Sequence, residues 1–455
     1  MATGPKRITI VGGGASGTLL TTNLIKHAGD AAIEINLVER NSRVGRGVAF
    51  GTDRDAHLLN VPAGRMGAFP DDTEHFHKWL TNNGHSFDSH DFVPRRIFGE
   101  YLREVFSETA EERPANVTLN LIDDVAVDMS VNEDSAEVIL RSGEILQSHR
   151  VVLAFGNFLP PHPSVPDQKF VTSAKYFRDP WSSQMYDTIK PDDSIFVVGT
   201  GLSMVDVALH YYKTEHRGKI YAISTRGLLP ARHELGYTYP AFADELKPMT
   251  RVTDMLKAVR RHIDLAEADS SNWRAVIDSL RPATQELWLN LPVAEKRYFM
   301  QHLSRYWNVA RHRMPAEVGE ILDKMQSDGR LVILKGRLKD IKYESGKFDI
   351  TYAMLGEEHS VTSDTLVNCI GAESNFSRID SQFVASLVER GHVRNDELSL
   401  GMDASPDGQV VGKTGSPSPV VHTLGAALKG ILWESTAIPE IRTQAKQLAL
   451  NLLSN

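Results

Sequence analysis

Two stretches of the chain share one hydrophobic pattern: a short apolar run, a glycine-rich turn and then an apolar segment of helical length. The first reads "ITIVGGGASGTLLTTNLI" at residues 8–25, and the second reads "FVVGTGLSMVDVAL" at residues 196–209. Short runs of β-branched residues are typical of parallel strands that are buried on both faces. The pattern therefore predicts two strand–turn–helix units and an α/β fold with two Rossmann-like dinucleotide-binding domains.

The first unit carries glycines with the spacing G-x-G-x-x-G, at Gly12, Gly14 and Gly17. The first glycine permits a tight turn, the second lets the backbone approach a phosphate, and the third lets the helix pack closely on the sheet. We expect the first amides of the helix to point at a pyrophosphate, with Ser16 as an additional hydroxyl donor. The position of the motif between a strand and a helix favours a dinucleotide site over an ordinary glycine turn.

A second predicted strand, "AIEINLVER", places Glu39 about 20 residues after these glycines. A carboxylate at that point is suited to the hydroxyls of a ribose and would repel a 2′-phosphate. The first site therefore favours FAD or NAD over NADP.

The second unit repeats the first two glycines at Gly199 and Gly201, but Met204 stands where the third glycine would be. We therefore expect the second helix to pack slightly farther from its sheet. Leu202 and Ser203 open this helix and complete the predicted cofactor contacts of the loop.

The strand after the second loop, "GKIYAIS", ends at Ser224 and is followed by Thr225 and Arg226. A guanidinium beside small hydroxyls suits a 2′-phosphate, so this site favours NADPH over NADH. The alternative is that Arg226 is only a solvated side chain at a strand end. Two sites with opposite ribose preferences indicate an FAD that NADPH reduces by hydride transfer.

Three further segments complete the predicted architecture. "VVLAFGNFLPP", at residues 151–161, is a strand that closes the first domain, and "LVNCIGAES", at residues 366–374, repeats this pattern after the second unit. We expect Cys369 inside the latter strand as a buried structural thiol, and Gly371 as a further cofactor contact. The final stretch predicts a loop and a helix that return to the first domain and present N-terminal amides to the flavin ring.

These patterns divide the chain into three segments. They are the first part of an FAD-binding domain at 1–160, an NADPH-binding domain at 161–364, and the second part of the FAD-binding domain at 365–455. Residues from about 240 to 330 show helical spacing without a strand pattern, which predicts a helical insertion that forms one wall of a substrate cleft.

Four charged residues in and near the insertion are candidates for binding a substrate carboxylate or phosphate: Arg232, His233, Arg311 and Arg313. The alternative is that they form surface or interdomain salt bridges.

The composition of the 455 residues is that of an ordinary globular protein, with 41% hydrophobic and 24% charged residues. A formal charge of −8 argues against broad nucleic-acid binding, which requires a basic surface. The single cysteine excludes a disulfide-reducing pair, and no residue spacing predicts a metal site. The chain starts directly with a strand and contains no run long enough to span a membrane, so we expect a cytoplasmic protein.

Over nearly its whole length the chain resembles a bacterial family of FAD/NAD(P)-binding proteins, related to the NADPH-dependent flavin monooxygenases, including N-hydroxylating ones. The resemblance depends on the segments "GRGVAFGT", "HLLNVPAGRMGAF", "FVPRRIFGEYL", "RDPW", "GTGLSMVD", "STRGLLP", "NWRAVIDSLRP", "RHRMP", "NCIGAES" and "GILWESTAIPEIR". These motifs are specific to the family and much less specific to one reaction. The resemblance implies FAD contacts at Gly12, Gly14, Ser16, Gly17, Glu39 and Arg40.

The resemblance also places a second group of residues beside the FAD. It implies that Asn60, Arg65 and Met66 lie near the isoalloxazine ring, and that the backbone of Val125 contacts the adenine. Near the ribityl chain, Leu424 and Gly425 replace the Gly-Asp pair of many flavoproteins, so the usual aspartate contact is in doubt.

The leading hypothesis is an NADPH-dependent flavin monooxygenase that uses a flavin hydroperoxide to oxygenate a small polar substrate, either anionic or amine-bearing. No catalytic side chain is identified, and the expected partners of this monomer or homodimer are O₂ and the substrate. The alternatives are an FAD-dependent NADPH reductase or dehydrogenase that inserts no oxygen, and a flavin-binding scaffold with a degenerate NADPH site. Met204 and Leu424 keep the scaffold alternative open.

Overall fold

The computed structural model describes residues 4–454. Its strands, in chain order, are β1 (Lys6–Val11), β2 (Ile33–Val38), β3 (Val117–Ile122), β4 (Ala126–Val131), β5 (Ala136–Leu140), β6 (Ile145–Ser148), β7 (Arg150–Leu153), β8 (Tyr176–Phe177), β9 (Ile195–Val198), β10 (Ile220–Ser224), β11 (Leu331–Lys335), β12 (Arg337–Glu344), β13 (Lys347–Met354), β14 (Glu357–Ser363), β15 (Thr365–Asn368), β16 (Gln409–Val411) and β17 (Pro417–Thr423).

The α-helices alternate with these strands in both halves of the chain. They are α1 (Ala15–His27), α2 (Gly47–Phe50), α3 (His75–Asn82), α4 (Arg95–Glu111), α5 (Ser183–Thr188), α6 (Leu202–Lys213), α7 (Ala243–Leu246), α8 (Val252–Ala268), α9 (Trp273–Ser279), α10 (Thr284–Asn290), α11 (Val293–His302), α12 (Ser304–Arg311), α13 (Ala316–Ser327), α14 (Gln382–Glu389) and α15 (Ile438–Ser454). None of the helices within residues 4–454 has the length and apolar character that crossing a bilayer requires.

The first sheet has the strand order β16-β17-β7-β1-β2-β3 and is parallel except for β16. Ile8 and Ile10 of β1 are fully buried, as expected of a central strand with helices on both faces. α1, α4 and α15 pack together on this sheet, so the last helix of the chain returns to the first domain as predicted. Hairpin β16–β17 brings residues from the end of the chain into the same sheet.

The second sheet is parallel, with the order β11-β10-β9-β15-β8. Its strand β15 pairs with β9, so this sheet includes residues 365–368, which the predicted boundary at residue 364 assigned to the other domain. Cys369 is the residue after β15 and not inside the strand as predicted, although it is buried. The expectation of two Rossmann-like units is confirmed.

The helical insertion consists of α7 to α13, which lie between β10 and β11. Its helices contact the C-terminal segment of the first domain, because Trp288 stacks on Trp433 with ring centroids 5.0 Å apart. Arg281 also forms a two-pronged ion pair with Glu440 at the start of α15, at 2.7 and 2.9 Å. The insertion therefore packs against the C-terminal segment, and its role as a wall of the substrate cleft stays a prediction.

A buried ion pair joins α4 of the first domain to α6 of the second. Arg95, at the start of α4, lies 2.9 Å from Asp206 of α6, and Trp181 donates its indole N–H to the same carboxylate at 3.0 Å. Burial raises the pKa of Asp206, and the charge of Arg95 opposes this shift. Such a pair holds the orientation of the second glycine loop relative to the first domain, since removing one partner would leave a buried unpaired charge.

Candidate active site

The first glycine loop connects β1 to α1 and has the geometry that its motif predicts. Gly12 has φ of 110°, and its N–H donates to the Val38 carbonyl at 2.9 Å. A Cβ atom on Gly17 would collide with the Gly12 carbonyl oxygen. Close packing of α1 against the loop therefore requires glycine at position 17, and Gly14 caps the helix with its backbone.

Glu39 follows β2 directly, at the position predicted for a ribose contact. Its Oε2 accepts the Gly13 N–H at 2.6 Å. Burial raises the pKa of Glu39, while the bond from Gly13 and the charge of Arg40 act in the opposite direction. Arg40 itself is exposed at the start of a short 3₁₀ turn.

The segment that was expected beside the flavin ring lies against both domains. His233 Nε2 is 3.1 Å from the Asn60 carbonyl oxygen, and burial lowers the pKa of His233 to about 4, so its imidazole is neutral at pH 7. Arg442 of α15 donates to the carbonyls of Arg65 and Gly67 at 3.2 and 2.8 Å. Met66 is buried in the hydrophobic core that β1, α1, α4 and α15 share.

Gln444 is a residue that sequence reasoning missed. Its Oε1 accepts the Gly425 N–H at 2.8 Å, while its Nε2 is buried without a hydrogen-bond partner. A Cβ atom on Gly425 would lie 2.6 Å from Ser16 Oγ, so Gly425 adjoins the start of α1. Leu424 is 1% exposed and packs in the core. Nothing in the sequence marks which residue of α15 approaches this point.

The predicted adenine contact at Val125 precedes β4. Its N–H donates to Asp124 Oδ1 at 2.7 Å, and its carbonyl accepts the Arg141 N–H at 2.8 Å. Both backbone groups of Val125 therefore already have protein partners, which leaves only the second lone pair of the carbonyl for a ligand.

The second glycine loop, between β9 and α6, repeats the backbone of the first. Gly199 has φ of 117°, and its N–H donates to the Ile223 carbonyl at 2.8 Å. A Cβ atom on Gly199 would collide with the Cys369 carbonyl, whereas one on Gly201 would meet nothing within 4 Å. Met204 is fully buried, and the predicted wider spacing between this helix and its sheet stays a prediction.

The end of β10 differs from the prediction in one respect. Ser224 Oγ accepts the Gly227 N–H at 3.0 Å and is hydrogen-bonded to Thr200 Oγ1 at 2.9 Å, so it holds the turn and is not a free phosphate ligand. Arg226 is exposed and has no ion pair within the part of the chain that the structure describes. Lys335 is the register partner of Ser224 on β11, which adds a second cation to this edge.

The other predicted contacts of the second site lie at the same end of the sheet. Leu202 and Ser203 are the first residues of α6. Gly371 follows β15 with φ of 108°, is exposed, and has open space around its Cα. Because β15 is the neighbour of β9, Gly371 and the glycine loop share the carboxyl edge of the sheet.

Two of the four predicted substrate residues form ion pairs within the protein. Arg313 is 2% exposed and forms a two-pronged ion pair with Asp278, at 2.9 and 3.0 Å. Arg232 donates to the Gly319 carbonyl at 2.9 Å and pairs with Asp323. All three nitrogens of Arg313 donate to protein groups, so the structure corrects its assignment to substrate binding. Only Nη2 of Arg232 has a protein partner, so substrate binding by Arg232 stays a prediction.

The other two, His233 and Arg311, belong to the cleft. Arg311, at the end of α12, is nine-tenths buried and lies 3.7 Å from Glu434. No group of His, Cys, Asp and Glu side chains that could hold a metal ion occurs among residues 4–454.

Comparisons with known proteins agree with this geometry. Residues 9–158 match the FAD-NAD(P)-binding family, and no curated protein sequence matches the chain. Among solved structures, the ornithine N-hydroxylase of Kutzneria sp. 744 has 14% identity and a TM-score of 0.64, with 99% of each chain covered. The ornithine hydroxylase of Pseudomonas aeruginosa has 13% identity and a TM-score of 0.67, again with 99% of each chain covered.

A different kind of oxidoreductase shares the fold less closely. The thioredoxin reductase of Lactococcus lactis has 10% identity and a TM-score of 0.54, and 99% of this chain and 98% of that one are covered. At such identities the likeness concerns the fold and not the reaction. Residues 9–158 thus carry the signature of the FAD-NAD(P)-binding family, and the chain as a whole has the fold of the two-dinucleotide-binding flavoproteins.

Proposed function

We propose that the protein is an oxidoreductase that binds FAD at the first glycine loop, is reduced by NADPH at the second, and oxygenates a small polar substrate. The observation that carries the proposal is the opposite charge at the two equivalent strand ends. Glu39 follows β2 with its carboxylate against the first loop, whereas Arg226 and Lys335 lie at the end of β10 and β11. A carboxylate favours ribose hydroxyls, and a pair of cations favours a 2′-phosphate.

The residues of the first site fit an FAD. The buried Nε2 of Gln444 has no protein partner, and its orientation is fixed because Oε1 must accept the Gly425 N–H. We infer that Gln444 donates to the FAD at the place where the sequence lacks the aspartate of other flavoproteins. Ser16, at the start of α1 beside Gly425, adds a second donor there.

When bound, FAD would accept hydride from NADPH and supply electrons for the activation of O₂. The chain's own part is to orient the two cofactors and the substrate, and to exclude water from the cleft. His233 is neutral at pH 7 and is hydrogen-bonded to the carbonyl of Asn60, so it positions the segment that leads to Met66. The ion pair of Arg281 and Glu440 holds the helical insertion over the cleft.

The visible spectrum of the purified protein, before and after NADPH without oxygen and then after air, tests this proposal. Bleaching of a flavin spectrum by NADPH would support reduction at the second site. A transient absorbance band after air, distinct from oxidised and reduced flavin, would favour oxygenation. A flavin that NADPH never bleaches would contradict the proposal and favour a scaffold.

The second candidate is an NADPH reductase or dehydrogenase that inserts no oxygen, which the fold shared with thioredoxin reductase favours. Reduction of a disulfide is not part of this candidate, because the single cysteine is buried and burial raises the pKa of its thiol. Direct return to oxidised flavin in air, with no transient band, would support this candidate. The cytoplasmic location and the monomeric or homodimeric state stay predictions.

A further inference from the structure

One cation in the cleft is buried without a hydrogen-bonding partner. The Arg311 side chain is 10% exposed, and its Nε lies 3.7 Å from Glu434 Oε2, too far for a hydrogen bond. Across residues 4–454, no acceptor takes a hydrogen bond from its guanidinium. Leaving the Nε–H of a charged group buried without an acceptor is costly, so Arg311 is suited to an anionic ligand.

Glu434 lies beside Arg311, but both of its carboxylate oxygens have other hydrogen-bond partners. Its carboxylate accepts the Trp307 indole N–H at 2.7 Å and lies 3.3 Å from His312 Nε2. Burial alone would raise the pKa of Glu434, but His312, Arg311 and Trp307 together lower it to about 2. The backbone of Glu434 has φ of 66°, an uncommon conformation for a residue with a side chain, which places the carboxylate under these donors.

Arg281 and Arg442 are further guanidinium groups near this part of the chain. Arg281 is paired with Glu440, and Arg442 has a buried Nε without a hydrogen-bond partner. Burial and then the charge of Arg281 lower the pKa of Arg311, and the same two causes lower the pKa of Arg442. Arg281 thus acts on both Arg311 and Arg442, and the carboxylates of Glu434, Glu440 and Asp278 act on Arg311 in the opposite direction.

The pyrophosphates of the two dinucleotides have their own places. The N-termini of α1 and α6, each preceded by a glycine loop, supply those positions. Arg311 comes from the helical insertion, and its charge acts on His233, which contacts the segment expected beside the flavin ring. The anion at Arg311 is therefore a third one, on the substrate side of the cleft.

Resting on the proposed function, we propose that Arg311 binds a carboxylate or phosphate group of the substrate. A guanidinium can donate two parallel hydrogen bonds to either anion. Glu434 is a positioning residue in this arrangement, since it acts through Arg311.

Calorimetric titration of the FAD-loaded protein with sodium acetate, and separately with sodium phosphate, tests the site at constant ionic strength. We expect saturable binding of at least one probe, and binding that is 10-fold weaker or more in Arg311→Gln. Arg311→Lys should recover part of the loss, because it keeps the charge without the planar fork. Saturation by acetate alone would identify a carboxylate, and saturation by phosphate alone a phosphate.

Arg305→Gln is the matched control, since Arg305 lies on the same helix and donates to the Gln301 carbonyl of the preceding helix. It should bind both probes as the unaltered protein does. No saturation by either probe, or equal binding in Arg311→Gln, would overturn the proposal. Arg311 donates no hydrogen bond in the described structure, so its variants should fold, but the loss of the ion pair with the buried Glu434 should lower their melting temperature. A full flavin content and a cooperative thermal transition of Arg311→Gln check that the fold is kept.

Bleaching by NADPH in the same samples separates this inference from the proposed function. Suppose that Arg311→Gln loses anion binding and that NADPH does not bleach the flavin of the unaltered protein. That result would support the anion site and reject the oxidoreductase. Normal bleaching without saturable anion binding would reject only the site.

Discussion

The two glycine loops share one backbone conformation and differ in what lies against it. In both, the first glycine has a φ above 100°, and its N–H donates to the carbonyl at the end of the next strand, at 2.9 and 2.8 Å. The following residue differs: the amide of Gly13 donates to the Glu39 carboxylate, whereas Thr200 approaches the Ser224 hydroxyl with its side chain. The same turn is thus joined to its sheet by a charged contact in one domain and a neutral contact in the other.

The loops also differ in how closely they are covered. A Cβ atom on Gly14 would lie 3.5 Å from the Gly47 Cα, whereas Gly201 has open space within 4 Å. Gly17 lets α1 approach its loop, whereas the second loop has the fully buried Met204 at the equivalent position. The same glycine motif can therefore hold two kinds of cofactor. A covered loop suits a cofactor that stays bound, and an open loop suits one that must exchange in every turnover.

The largest expected effect comes from Gly17→Ala. The added Cβ would collide with the Gly12 carbonyl oxygen, which is backbone and cannot rotate away. We expect a loss of about 2–4 kcal/mol in the free energy of unfolding and purification without FAD. The flavin-to-protein absorbance ratio and urea unfolding measure the two effects.

Gly201→Ala is the matched change in the open loop. Its Cβ meets nothing within 4 Å, and its φ of −83° suits any residue, so stability should fall by less than about 1 kcal/mol. FAD content should stay full. Equal loss of FAD in the two variants would mean that the loops do not hold separate cofactors.

The next largest effect is expected for Glu39→Arg, which should abolish stable FAD binding. The change removes the acceptor of the Gly13 N–H and places a bulky cation where a carboxylate faces the loop. Glu39→Gln is the control, because its amide oxygen can still accept that N–H, and it should retain part of the FAD. Glu39→Arg protein that purifies with full flavin content would contradict the assignment.

The sequence was sufficient for the strands and loops of both sites because their signals are local. A run such as Ile195–Val198 followed by glycines specifies strand, turn and helix within some fifteen residues. The helical insertion was equally visible, since α7 to α13 span Ala243–Ser327 within the predicted 240–330. Strand β15 was assigned to the wrong domain because local patterns do not show which sheet a strand joins.

The contacts that complete the cleft could not be predicted, because they join residues far apart in the chain. Gln444 reaches Gly425 from the last helix, and Glu434 collects its partners from the insertion. Arg311 and Arg313 are two residues apart and look alike in the sequence. Their contacts differ, because Arg313 donates to both oxygens of Asp278, whereas Arg311 has the Glu434 carboxylate only at 3.7 Å.

Arg226→Ala should have a moderate effect that is confined to one cofactor. If Arg226 contacts the 2′-phosphate, the KM for NADPH should rise about 10-fold, which corresponds to ~1.4 kcal/mol, while the KM for NADH stays unchanged. Lys335→Ala, at the register partner of Ser224, should raise the NADPH value less. Steady-state kinetics with both nucleotides measure this, and equal effects on NADPH and NADH would mean that Arg226 does not contact the 2′-phosphate.

The smallest expected effect is that of Thr200→Val, which tests the neutral contact of the second loop. Thr200 Oγ1 donates to the Leu228 carbonyl at 2.6 Å and is hydrogen-bonded to Ser224, but Ser224 keeps its bond from the Gly227 N–H. Because the valine has the same shape and only this hydroxyl is lost, we expect a cost of about 1 kcal/mol and a KM for NADPH raised a few-fold. FAD content should not change, since the first loop has its own carboxylate contact. Thermal unfolding with and without NADP⁺ measures the difference, and a variant that loses flavin would show that the two loops are coupled more tightly than their separate contacts require.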